Sequence, residues 1–147
     1  MCLKWQKISE LESVGDHKQA VEAIQTRLIE NPDEAEAVIR LGLNLWYALD
    51  SLPPQEARDW AEWFMVLFAR HHRPLGGNAD FCWAFGKGMC RHWPELPGAS
   101  EALGRSLVQR AAALDPFWAR IESGTLQEGD AQRLEGRGLL ERVALGR

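Results

Sequence analysis

Three prolines stand at identical intervals in this chain: Pro32, Pro74 and Pro116 are each 42 residues apart. Proline lacks the backbone N–H that a helix interior needs, but it is tolerated in the first turn of a new helix. Each of the three follows a stretch with helical apolar spacing and precedes another, so each reads as a boundary between units. A second cluster of breakers falls inside two of the units, Ser51-Leu52-Pro53-Pro54 and Pro94-Glu95-Leu96-Pro97-Gly98. The predicted unit is therefore helix, turn, helix.

Apolar spacing fills in the helices. Over His17 to Glu30 the residues Ala20, Val21, Ile24 and Leu28 fall on one face, with Lys18, Glu22, Gln25 and Arg27 elsewhere. A helix from Asp33 to about Leu49 is expected to open on an acidic cap with Glu36 three residues on, a variant of the capping box. It carries Val38, Leu41, Leu45 and Leu49 on one stripe. Pro54 to about Arg70 repeats the pattern through Ala57, Trp60, Ala61, Phe64, Leu67 and Phe68, and its basic end suits a helix C-terminus. Further helices are predicted over Ala79 to His92, with Gly86-Lys87-Gly88 loosening it locally, over Ser100 to Leu114, and from Asp115-Pro116 to near Gly124. No run has the alternation of a strand. The fold class is all-α: one domain spanning residues 1–147, with three helical hairpins in residues 1–124. Residues 125–147, rich in glycine yet carrying Leu134, Leu139, Leu140 and Val143, are expected to form a C-terminal capping helix rather than a free tail.

Composition narrows the function classes. The net charge is −4, and residues 1–34 hold four Lys or Arg against seven Asp or Glu, whereas residues 75–147 hold nine of each. Without a basic excess to neutralise phosphates, no nucleic-acid partner is expected. No stretch approaches the roughly 18 to 20 apolar residues of a membrane span, and the first seven residues lack the apolar core of a secretion signal. A cytoplasmic location with no membrane partner is expected. Cys2, Cys82 and Cys90 have no framework spacing and read as reduced thiols. There are seven tryptophans, a large aromatic surface to place.

The residues Gly15-Asp16-His17, Ala20, Ile24 and Asn31-Pro32 resemble the second half of a tetratricopeptide repeat, and Val38-x2-Leu41-Gly42-x2-Leu45 resembles its first half. Ala111 to Pro116 resembles the end of another unit. The match is best over residues 4–45 and extends more weakly to 116; Arg27 stands where the family prefers a small residue, and the later units exceed the family's usual length. The resemblance implies a superhelix of stacked hairpins whose first helices form a concave surface that holds a peptide or a partner protein. Carried onto this chain, that face comprises Trp5, Ser9 and Glu12 from the first unit and Ile39, Leu43, Trp46 and Tyr47 from the second. Apart from the resemblance, Trp60 reads as core and Trp63 of the same helix as an exposed rim residue that could meet a partner. Leu43, Trp46 and Tyr47 lie off the main apolar stripe of their helix, which fits burial on both flanks as well as an aromatic binding patch.

Chemistry-bearing clusters are sparse. Cys82, Cys90 and His92 have the wrong spacing for zinc, since eight residues along a helix set the thiols two turns apart. Glu56, Asp59 and Glu62 share a helix face but read as a solvated acidic surface. No nucleophile with a base, phosphate loop or cofactor motif is present, so no catalytic or metal-ligating residue and no cofactor is expected. The function expected is a non-enzymatic interaction module with a protein partner, with three forms open: an immunity protein neutralising a toxin, an adaptor or chaperone of a secretion or signalling complex, or a helical protein that binds a small ligand in its aromatic centre.

Overall fold

A computed structural model describes residues 4–146. Among them are eight α-helices and no strand: α1 Trp5–Ser13, α2 His17–Glu30, α3 Ala35–Tyr47, α4 Pro54–His71, α5 Ala79–His92, α6 Glu101–Leu114, α7 Pro116–Ser123 and α8 Leu139–Leu145. Short 3-10 turns occupy Leu49–Ser51 and Ala131–Leu134. Cys2 lies outside the described residues.

None of the three spaced prolines interrupts a helix. Pro32 and Pro74 sit in the turns before α3 and α5, and Pro116 is the first residue of α7 with Asp115 capping it, the carboxylate accepting from Phe117 N–H at 3.1 Å. Asp16, Asn78 and Ser100 cap α2, α5 and α6 in the same way, each satisfying one N–H that the first helical turn leaves without a partner. The acidic cap expected at Asp33 is not formed. Glu34 occupies the cap position of α3 with no side-chain cap bond; its carboxylate takes two hydrogen bonds from Arg27 at 2.9 and 2.8 Å instead. Glu36 likewise turns away to Arg137. A planar guanidinium offers a carboxylate two charge-assisted bonds at once, which outcompete a single backbone N–H.

Consecutive helices pair, α1 with α2, α3 with α4 and α5 with α6, while α3 also packs against α2 and α5. Glycines set the closest approaches. Gly88 of α5 lies against the indole of Trp46, Gly42 of α3 lies against the Phe85 ring, and Gly86 and Gly104 bring α5 and α6 together. The run Gly86-Lys87-Gly88 therefore does not loosen α5, which is continuous from Ala79 to His92; the missing side chains are where neighbouring helices fit. The aromatic surplus is absorbed in the same core. Phe85 stacks on Phe64 at 4.8 Å between centroids and meets Phe81 tilted at 4.4 Å, and Trp83 stacks on Trp118 at 4.4 Å, geometries that aromatic pairs favour.

The C-terminal segment does not cover the end of the series. It runs back across α1, α3 and α5, and α8 packs on α1 and α3. Leu134, Leu139 and Leu140 are buried there, in one core that extends from Ile8 to Leu140.

Candidate interaction surfaces

The returning segment is fastened by charge. Glu12 of α1 and Arg40 and Asn44 of α3 are all buried. Arg40 donates to Glu12 at 2.5 Å and to Ser9 at 3.0 Å, and Asn44 Nδ2 donates to the second Glu12 oxygen at 2.7 Å. The tail completes the cluster: Leu139 N–H donates to Glu12 Oε1 at 3.0 Å, and Arg142 donates to the Glu12 carbonyl at 2.9 Å. Arg137 bridges two elements, pairing with Glu36 at 2.5 Å and with Asp80 of α5 at 2.9 Å; burial works against its charge, but Glu36 and Asp80 together outweigh it and hold the guanidinium above its ordinary pKa. Gly138 sits between Arg137 and Leu139 at φ +56°, where any Cβ would collide with Glu12, Arg40 and Ser9. Only glycine passes this point without displacing the ion pair.

This arrangement changes the status of the face inferred from the tetratricopeptide resemblance. Glu12, Ile39, Leu43 and Trp46 are buried, and as the chain is folded they are not available to a partner. Glu12 is taken up by the ion pair and the tail. Trp46 donates its indole N–H to the Ala84 carbonyl at 3.1 Å and packs in the core. Trp5 is half-buried with the guanidinium carbons of Arg27 and Arg40 at 4.4 and 4.5 Å from its ring centroid, so its faces are engaged by cations of its own chain. Tyr47 and Trp63 remain partly accessible. The residues that organise this face, Arg40, Asn44, Arg137 and Gly138, escape a reading by residue type, because Arg40 and Asn44 interrupt an otherwise apolar helix and Arg137-Gly138 lies in a glycine-rich stretch.

Trp63 leads to a different surface. With Leu28, Ile29, Leu41 and Leu67 it lines a groove of about 480 Å³ between α2 and α4, closed at one end by Pro32 and Pro74. Ile29 is 76% exposed on its rim, and Val66, the next outward position of α4 after Trp63, is 55% exposed. Arg70, His71 and Asp33 stand at the proline end. Burial holds His71 below the usual histidine range, Arg70 adds to that, and Asp33 partly opposes it, so the imidazole is neutral near pH 7. Toward the other end Trp63 and Trp60 meet Glu22, Lys18 and Glu56, with Lys18 and Glu56 paired at 2.8 Å. Asp59 and Glu62 are exposed on the same helix. The result is an apolar, aromatic groove whose charged margin sets Asp33, Glu22 and Glu56 against Arg70 and Lys18.

No described helix is long and apolar enough to cross a membrane. Among protein-family models, curated proteins and solved structures, none matches this chain.

Proposed function

We propose that the chain is a non-enzymatic binding module of tetratricopeptide-like architecture, three hairpins stacked in sequence order, that holds a partner protein in the groove between α2 and α4 while its own C-terminal segment fills the opposite face. The observation that supports this most is the groove itself: an indole at its wall, leucines at its floor and a largely exposed isoleucine on its rim. Exposed apolar surface with an aromatic anchor and a polar margin is the composition of a protein interface. The charged margin, with Asp33, Glu22 and Glu56 against Arg70 and Lys18, leans acidic and fits a partner whose apolar contact is ringed by Lys and Arg, since complementary charge speeds encounter and sets orientation. A basic toxic domain answers that description, and the reading we favour is an immunity protein that blocks one; adaptor or chaperone duty is the alternative.

The test has two stages. The chain is co-expressed with the product of a neighbouring toxin-like reading frame, and rescue of growth is the expected result. Trp63→Ala and Ile29→Glu are then expected to abolish rescue and to weaken the purified complex by about 2 kcal/mol or more each, roughly thirtyfold in Kd. Neither change disturbs the tail or the ion pair beneath it. Binding that survives both substitutions would place the interface elsewhere, and a complex without rescue would favour the adaptor reading.

A further inference from the structure

A second cavity, of about 680 Å³, opens where the C-terminal ends of α3 and α5 meet the start of α2 and the tail. Tyr47, Arg91, His92, His17, Asp50 and Arg142 line it. Three of these side chains have no polar partner among the described residues. His92 is only 8% exposed, and its ring lies 5.9 Å from Trp46 without a hydrogen bond. Arg91 stands with its guanidinium carbon 5.4 Å from the Trp46 ring centroid and pairs with no carboxylate. The Tyr47 hydroxyl is likewise unbonded, its ring tilted against His17 at 5.3 Å.

The wall opposite is fixed from behind. Asn44 Nδ2 donates to Glu12 and to the Arg40 carbonyl, so its Oδ1 is the acceptor that meets His17 Nδ1 at 2.8 Å. His17 therefore donates through Nδ1, and its Nε2 makes no hydrogen bond among the described residues. Arg142 is anchored by its bond to the Glu12 carbonyl. The lining sets two arginines, Arg91 and Arg142, against one carboxylate, Asp50. A helix C-terminus alone favours basic residues in the last turn of α5, but it accounts for neither Arg142 nor Tyr47 on the same cavity. Donors that no side chain of the chain itself occupies are open to an acceptor entering the cavity.

We infer that this cavity is a binding site for a small organic oxyanion, a carboxylate or phosphate ester on an aromatic or apolar body, with the body against Tyr47 and the oxyanion met by Arg91, His92 and Arg142. The volume suits a ligand of that size, and arginine matches both oxyanions through paired N–H donors. The site is separate from the α2–α4 groove.

The probes are phenyl phosphate, benzoate, inorganic phosphate and benzylamine, titrated into the full chain and followed by tryptophan fluorescence and calorimetry. Saturable one-to-one binding of phenyl phosphate or benzoate is expected, with whichever binds tighter identifying the oxyanion and inorganic phosphate weaker than phenyl phosphate. Arg91→Gln, an exposed position, is expected to weaken binding by about tenfold or more, because a charge-assisted bond is lost, with the thermal midpoint unchanged. Asp50→Asn is expected to act oppositely and tighten binding, since it removes the one like charge from the lining. Preference for benzylamine, no saturation into the millimolar range, or equal affinity in wild type and both variants would overturn the proposal. Partner capture through the groove is expected to be untouched by Arg91→Gln, so the two readings fail separately.

Discussion

The most exacting test of this structure is to remove the carboxylate at its centre. Glu12 and Arg40 are both buried, 2.5 Å apart, and among the described residues the only other carboxylate near Arg40, Glu36, is 3.9 Å away and already shared with Arg137. Glu12→Leu therefore strands a buried guanidinium whose Nε has no acceptor even in the native chain. Breaking a buried ion pair from one side costs about 3–5 kcal/mol, a large share of the roughly 5–15 kcal/mol that holds a domain together. Arg40→Met should cost a similar amount by stranding the carboxylate. The double variant removes both charges; what remains is the Leu139 N–H and one Asn44 donor without acceptors, about 1–3 kcal/mol each, and because Glu12→Leu alone strands the same two donors, that cost cancels in the cycle. The coupling energy from the cycle should thus be at least about 3 kcal/mol. Urea unfolding followed by far-UV circular dichroism, with the m-value checked for constancy, gives each of the four stabilities. If Glu12→Leu costs less than about 1 kcal/mol, or if the single effects simply add, the ion pair does not hold the tail against α1 and α3 and the reasoning is wrong.

Other outcomes follow from single features. Gly88→Ala should gain about 1 kcal/mol of helix propensity yet lower stability overall by about 1–3 kcal/mol, because its Cβ would enter the Trp46 indole; a higher melting temperature would contradict the close approach. Asp130, held by Arg120 and by the Gln127 N–H, has its carboxyl lowered to about 2. Its folded value lies below the unfolded one, so its contribution is complete above the ordinary carboxylate range and is lost as pH falls through about 2. Hydrogen exchange at residues 125–135 should rise over that interval more than in Asp130→Asn, which lacks the contribution at every pH. Burial raises the Cys82 thiol above its ordinary range, so peptide mapping should find Cys82 alkylated at neutral pH only as fast as the chain unfolds, and rapid labelling would refute its burial.

Helices were the legible part of this sequence, because they depend on neighbours a few residues away. The spans His17–Glu30 and Ala79–His92 follow directly from apolar spacing, and helix starts are predicted at Ser100 and Asp115-Pro116, where the structure has them. What spacing does not carry is the partner of a charge. Glu34 and Glu36 look like helix-start acids, and only the approach of Arg27 and Arg137 in space decides that they are not. The candidate surface was legible only at Trp63: it lies one helical step from solvent-facing Val66, whereas Trp46, equally aromatic, is claimed by Gly88 and by the Ala84 carbonyl 38 residues further on. The fold-back of residues 137–142 left a faint trace, a glycine between an arginine and two leucines, that acquires meaning once Glu12 and Arg40 are known to lie beneath it.

A row of helical hairpins is ordinarily a one-dimensional object, in which each unit feels its neighbours and the ends can fray without disturbing the middle. The strap formed by Arg137 and Leu139 changes that connectivity, since it joins residues 101 and 127 positions apart in the chain. The row becomes a ring: the first hairpin cannot open without releasing the last segment, and the last segment cannot leave without uncovering charge in the first. Such a chain should unfold in a single transition, with the same midpoint reported by Trp5 at one end and Trp118 at the other.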